Sequence, residues 1–454
     1  MPNNFAYIAL ILWPFISVLF FYRHMPIVQA TFWTIVGGFM ILPVKTIIDF
    51  PLIPPLDKES IPIIAAIIGC KYIKKVNIKL IPKERAEKWL VIALLFIPFV
   101  TMLNNQETFN GIPGLTLYDT VSAIISQYLF ILPFILGMQI IKTYEDQLLL
   151  FKLLVIAGLI YSIPILFEVR MSPQLHTWTY GYFPHSFLQQ IRFDGFRPVV
   201  FMGHGLVVSM FLAITIAAAA ILLKQKVNTR GFSKSIIIIY FLILLLLCKT
   251  VGAFLLGFLL LLAILFGSLK VIKWASLIIV ATVVLYPLLS IFNVFPHDFL
   301  LQLATGFDVA RGESLGARFY HEGNLLAHAK DKLFFGWGGW GRSRLEGAVT
   351  DGYWIIVFGQ YGILGFIAFF GLPALSVLIA VRNYDKLNFK SGKELLLAHA
   401  LIVAVMMVDQ LPNSSMSSWL LFLMGALLGI SRKVPFNKDR TNITPNVYSK
   451  LLKE

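Results

Sequence analysis

LILLLLCKTVGAFLLGFLLLL, residues 242–262, decides the fold. The apolar run around it, 235–269, is longer than the roughly 20 residues that carry one helix across a bilayer, and only Lys249 and Thr250 break it. Lipid offers no partner to an unpaired backbone N–H or C=O, so such a run crosses as helices and reverses where polar groups are tolerated. We read a helical hairpin, spans 235–249 and 251–269, turning at Lys249. A lysine at that tip either snorkels to the headgroups or faces a ligand.

The pattern recurs from end to end. Of 454 residues, 58% are hydrophobic and 13% charged, which no soluble domain of ordinary composition shows. Further spans are predicted at 5–22, 26–46, 59–73, 88–104, 119–141, 148–169, 198–223, 273–294, 353–381, 395–411 and 416–431, so about thirteen crossings, within a range of roughly 11–14, are expected. The fold class is therefore an all-α polytopic membrane helix bundle. Residues 1–433 form one transmembrane domain and 434–454 a polar cytoplasmic tail. The start, MPNNFAYIALILWPF, lacks a basic n-region and a small-residue cleavage signal and reads as an uncleaved first helix. Cys70 and Cys248 fall in or beside apolar stretches and match no disulfide or metal spacing. No internal repeat or low-complexity segment is evident.

A net charge of +15 raises the possibility of nucleic acid, but the basic residues cluster in short loops beside spans, which is orientation chemistry. Nucleic acid is excluded on that ground. KYIKKVNIKLIPKERAEK, 71–88, belongs to the cytoplasm by the positive-inside rule. Alternation then places 224–234, Lys270 with Lys273, 382–393 and the tail from Arg432 on the same side. NNQETFNGIPG (104–114) and two long loops, 171–197 and 295–352, face outward. Of 38 basic residues, the outer loops hold seven Arg and five Lys, the inner ones six Arg and twenty Lys. Orientation needs only charge; an outer preference for the planar, bidentate guanidinium suggests carboxylate or phosphate recognition.

Four outer stretches could carry chemistry. In IRFDGFRPVVFMGHGLVVSMFL, 191–212, Arg192 and Arg197 stand outside the membrane and Pro198 would open the next helix, whose free N–H groups and positive dipole end suit a phosphate. Alternatively Arg192 pairs with Asp194 and Arg197 snorkels. His204, between two glycines, would lie inside the span, as a core histidine or a ligand. In the loop 297–344, a helix is predicted over 314–332 with Leu315, Phe319, Leu325, Leu326 and Ala329 as its apolar stripe, and with Arg318, His321 and His328 on one face. YHEGNLLAH, 320–328, is not a zinc motif, because Leu325 stands where HExxH needs its second histidine. In FFGWGGW, 334–340, Gly336 and Gly338 turn the chain at the interface, where Trp337 and Trp340 anchor it or stack on sugar. Arg311, Arg342 and Arg344 add further guanidinium groups to this loop. In TDGYWIIVFGQYGILGF, 350–366, Asp351 either caps a helix or serves as a general base, with Gly362 and Gly365 bending the segment so that its first turns dip into the bundle. VDQLPNSSMSSW, 408–419, adds Asp409 as a secondary acid.

The order of these pieces resembles the O-antigen ligase and Wzy-type polymerase superfamily of bacterial envelope glycan assembly. RFDGFRPVVFMGHG is similar to that family's external arginine before a span, and CKTVGAFL to its small-residue turn. GARFYHEGNLLAHAKDKLFFGWGGWG matches its arginine, amphipathic helix and G-x-G, and TDGYWIIVFGQYGILG its polar pair and G-x-x-G bend. The likeness covers roughly 192–365, with the multispan layout before it. It implies a GT-C-like bundle in the bacterial inner membrane, acting on its outer face without cofactor or metal. It also implies a polyisoprenyl-pyrophosphate-linked glycan as donor and acceptor within membrane lipid, and a flippase and a chain-length regulator as partners. Ligases of the superfamily carry His-Asn where this chain has Asp351 and Gly352, which leans the expectation toward the polymerases and leaves Asp351, Glu322 and His321 as candidate bases. Arg192, Arg197 and Arg318 would receive the diphosphate, and Arg311, Arg342 and Arg344 would hold glycan or phosphate at the cavity rim. Two rival expectations are a ligase passing finished glycan to lipid A core or protein, and a transporter of an anionic solute or lipid.

Overall fold

The computed structural model describes residues 1–50, 53–192, 194–227 and 233–434. The tail assigned to the cytoplasm, from residue 435 on, lies outside the described residues, as does Arg230 of the inner basic cluster. The chain is helical almost throughout: α1 Asn4–His24, α2 Ile27–Ile41, α3 Ser60–Ile73, α4 Arg85–Leu103, α5 Leu117–Ile140, α6 Tyr144–Met171, α7 Leu175–Tyr180, α8 Gly205–Lys224, α9 Lys234–Leu247, α10 Val251–Phe266, α11 Leu269–Ile291, α12 His297–Phe307, α13 Val309–Lys330, α14 Tyr353–Asn383, α15 Lys390–Asp409 and α16 Ser418–Lys433. Two small antiparallel hairpins, β1 Ile48–Phe50 with β2 Ile53–Leu56 and β3 Ile191–Arg192 with β4 Gly195–Phe196, are the strands among the described residues. Eight of the described helices, α1, α4, α5, α6, α8, α11, α14 and α15, are long and apolar enough to cross a membrane, and α2, α3, α9 and α10 are shorter apolar helices. An all-α polytopic bundle is what the sequence dictated.

Packing follows side-chain size. The middle of α8, AITIAAAA, is buried, and its small residues let neighbouring helices close in on every side. α16 presses on α5 so closely that a Cβ on Gly425 would come within 2.0 Å of the Phe134 carbonyl oxygen. Capping boxes start α5 at Thr116 and α6 at Thr143.

The loops sort into two ends, as alternation required. At one, Gln139 and Lys79 exchange bonds of 2.8 and 2.7 Å, Tyr144 meets Gln225 at 2.9 Å, and Arg432 Nη2 meets Glu87 at 2.7 Å. At the other, Lys249 Nζ donates to Arg192 O at 2.9 Å, and the Ser418 N–H donates to Glu59 Oε2 at 2.7 Å. The hairpin tip thus reaches the loop 171–197, joined by an ammonium bonded to backbone.

Three boundaries differ from expectation. α8 starts at Gly205 rather than Pro198, because the Val199 and Val200 N–H groups both bind Glu168 Oε2, at 2.8 and 2.7 Å, in place of a first helical turn. α13 begins at Val309, five residues early, since the Asp308 side chain accepts from the Ala310 N–H at 3.1 Å. α14 is not one crossing: Gly362 takes φ 67° and ψ −170°, and the short helix before it folds back until the Tyr353 ring lies 5.4 Å from Phe369. Its first turns are buried at Trp354 and Phe358, so they do enter the bundle.

Candidate functional site

Glycine builds the floor of the end that holds Arg192, Arg197 and Arg318. Residues 333–338 run into the break in α14, where Trp337 N donates to Gly359 O and Gly338 N to Gln360 O, each at 2.9 Å, and Ile363 N donates to Leu333 O at 2.8 Å. Backbone lies on backbone here. A Cβ on Gly336 would stand 2.4 Å from the Gln360 carbonyl carbon, and one on Gly362 would stand 2.3 Å from that of Phe334. The sequence FGWGG and the sequence GQYGILG are therefore two halves of one joint.

Trp337 is not at the membrane interface. It is buried, 4.4 Å from both Phe109 and His328, with Nε1 donating to His328 O at 2.8 Å, because the turn at Gly336 points it inward. Trp340 is exposed. Arg342 is likewise no rim residue: 2% exposed, it donates through Nη1 to the carbonyls of Pro113 at 2.9 Å and Ile112 at 3.3 Å and ties the loop 295–352 to the loop 104–114. Arg344 is exposed, while Arg311 pairs with Asp308 at 3.9 Å.

Arg318 is the hub. Nη1 donates to Pro412 O at 2.8 Å and to Asn413 Oδ1 at 3.4 Å, and Nε lies 3.5 Å from Asp351 Oδ2. Asp351 is thus an ion-pair partner rather than a cap, and Gly352 takes the cap position of α14. Behind Asn413, Asp409 is buried and accepts from Asn413 Nδ2 at 2.8 Å and Ser415 Oγ at 2.7 Å. Asn413 and Ser415 escaped sequence reasoning; a short, uncharged polar loop between two spans carried the only signal.

Arg197 faces the same region. The β3–β4 turn returns the chain so that Arg197 N binds Gln190 O at 2.8 Å, and its stem lies across the first turn of α8, where a Cβ on Gly205 would touch Cδ at 2.0 Å. It is buried, and its Nε has no hydrogen-bond partner among the described residues. Burial first, then the charges of Arg192, Arg311 and Arg318, lower its pKa to about 10. The four guanidinium groups therefore share one electrostatic neighbourhood. His204 caps α8 instead of sitting inside it, its Nδ1 accepting from the Leu206 N–H at 3.1 Å. Burial, then His185, whose ring is 4.7 Å away, and then the arginines push its pKa down to about 3.

The other candidate bases lie elsewhere. Glu322 accepts from Tyr286 at 2.6 Å and from Trp354 Nε1 at 3.2 Å, clamping α13 to α11 and α14, and burial raises its pKa. His321 does not join Arg318. With His328, Asn324, Asp331 and Glu346 it lines a separate open cleft of about 580 Å³.

Neither a family model nor a curated protein matches the sequence. The likeness in motif order rests on the residues themselves.

Proposed function

We propose that the protein is a membrane glycosyltransferase that polymerises glycan repeats carried on polyisoprenyl pyrophosphate, at the outer face of a bacterial inner membrane. One observation carries this reading. Four arginines from two stretches of the chain, the loop before α8 and the first half of α13, gather at one mouth of a lipid-embedded bundle, where Asp308 pairs with Arg311 and Asp351 with Arg318. Arg197 is the buried one of the four, and a buried charge facing like charges is costly unless an anion neutralises it. A diphosphate at headgroup level supplies that anion. Beside it, α12 exposes Phe299, Leu303 and Phe307 and buries no residue, a surface suited to the headgroup boundary where a lipid-linked substrate resides.

In the reaction, the acceptor hydroxyl oxygen bonds to the anomeric carbon from the face opposite the diphosphate, and configuration inverts. The anomeric C–O bond breaks, its electron pair leaves on the diphosphate, and the hydroxyl proton passes to Asp351. Arg192, Arg197 and Arg318 stabilise the growing charge of the leaving group. Lys249 and Arg311 flank them. Arg318 also orients the base it pairs with.

The test is elongation by purified protein supplied with lipid-linked repeats. Arg197→Ala and Arg318→Ala should each slow turnover by about two to three orders of magnitude, as deletion of one oxyanion donor does. Near-native rates in both would refute the assignment. Transfer only to lipid A core or protein would make the enzyme a ligase.

A further inference from the structure

A second recess, of about 390 Å³, opens beside the first half of α14, between α3, α4 and α5, with Pro54, Pro55 and Asp57 at its outer edge. Its walls differ in chemistry from the arginine mouth. Asp57, Glu59, Gln127 and Gln360 supply polar groups, and Phe130 stacks on Phe369, with ring centres 6.1 Å apart and planes at 15°. No Lys or Arg lines it. Lys58, between the two acids in sequence, turns away and donates to Phe39 O at 2.9 Å and Phe201 O at 2.8 Å. Gln127 Oε1 is buried without a hydrogen-bond partner. Asp57 uses Oδ1 to hold the N–H groups of Glu59 and Ser60, and Glu59 uses Oε2 for the N–H of Ser418.

Three occupants can be weighed against this lining. A hydrocarbon chain would leave the amide groups and the remaining carboxyl oxygens without hydrogen-bond partners. An anion would meet two acids and no base. A sugar ring offers C–H faces to the aromatic wall and hydroxyls to the acids and amides, and recesses of a few hundred Å³ with few polar groups are ordinary small-ligand sites. Tyr353 joins the recess to the reacting groups: it lines the wall, and its N–H donates to Asn413 O at 3.1 Å, the residue whose side chain holds Arg318.

We propose that this recess receives the acceptor end of the glycan, and that it takes an uncharged or amino sugar and rejects an acidic one. The assignment rests on the glycosyltransferase reading and adds its second substrate. Donor diphosphate and acceptor sugar then occupy walls of opposite charge, meeting at Asp351 and Tyr353.

Full-length protein in detergent can be titrated with methyl glucoside, methyl glucosaminide and methyl glucuronide by saturation-transfer NMR, and separately with inorganic pyrophosphate by calorimetry. The first two glycosides should bind and the glucuronide should not. Gln127→Leu and Gln360→Leu should each weaken glycoside binding at least ~10-fold, about 1.4 kcal/mol, and leave pyrophosphate affinity intact, which also reports folding. Arg197→Ala should show the reverse pattern. Equal binding of the glucuronide, indifference to both Gln substitutions, or displacement of the glycosides by farnesol would overturn the acceptor site while leaving the donor reading standing. Pyrophosphate binding that ignores Arg197 counts instead against the transferase reading itself.

Discussion

At the residue scale, charge placed where water is scarce is what sets Arg197, Arg318 and His204 apart. Arg197 keeps a buried Nε without a partner among the described residues, and Arg318 spends its donors on Pro412, Asn413 and Asp351, so the proposed reaction gives the first to the ligand and the second to alignment. His204 answers to the same field. Its pKa is about 3 in the folded protein against an ordinary 6.5, so below about pH 6.5 the unfolded chain takes up a proton that the folded one refuses. Stability contributed by the neutral ring is therefore whole above that pH and is lost progressively as pH falls toward about 3. Asn can still cap α8 but does not titrate. The melting temperature of the wild type should drop more between pH 7 and pH 5 than that of His204→Asn; parallel curves would show that the ring is not held neutral by its surroundings. These arginines were legible in sequence because guanidinium groups outside a span need a reason. Asn413 and Ser415 were not, since an uncharged polar residue in a short loop looks the same whether it holds an arginine or faces water. Trp337 was misread for a related cause: composition marks an indole for an interface or a core alike, and only the turn at Gly336 decides.

At the element scale, the joint between residues 333–338 and the break in α14 sets where Asp351 stands. Sequence showed the bend, because glycines at 362 and 365 flank an otherwise uninterrupted apolar run. It did not show the docking partner, because backbone-to-backbone contact leaves no side-chain pattern to read. Gly362→Ala places a side chain at φ 67° and a Cβ 2.3 Å from the Phe334 carbonyl carbon. This combination of φ and ψ, essentially confined to glycine, alone costs about 1–3 kcal/mol in a residue with a Cβ. The contact adds to that, so thermal unfolding should begin several degrees lower and a protease should cut the 333–345 segment sooner. Gly339→Ala is the control, since a Cβ there meets nothing within 4 Å. Equal melting of the two variants would mean that the joint does not hold the loop. The same logic separates α8 from its expected start. Proline at 198 suggested a first turn, but Glu168, on a helix distant in sequence, captured the amides that the turn would have offered. Such long-range capture has no local signature.

At the scale of the whole molecule, apolar periodicity and loop charge sufficed to give a helical bundle and to sort its loops into two ends. The short helices α2, α3, α9 and α10 stand at the limit of what length can settle, because packing rather than hydropathy fixes their depth. The positive-inside rule predicts that the arginine end faces outward, and the proposed chemistry depends on that prediction, since a diphosphate carried on an outer-leaflet lipid can meet Arg197 and Arg318 only there. Thiol labelling reads this directly. Cys70 and Cys248 are both buried, so the native background is low. Trp340 is 63% exposed at the arginine end, and the Lys390 side chain is 83% exposed at the other. In intact cells a membrane-impermeant maleimide should modify Trp340→Cys, and Lys390→Cys only after permeabilisation. The opposite pattern would turn the arginines toward the cytoplasm. There they would meet nucleotide-linked sugars instead of an outer-leaflet donor, so the side on which one cysteine reacts decides which class of activated sugar the guanidinium cluster can receive.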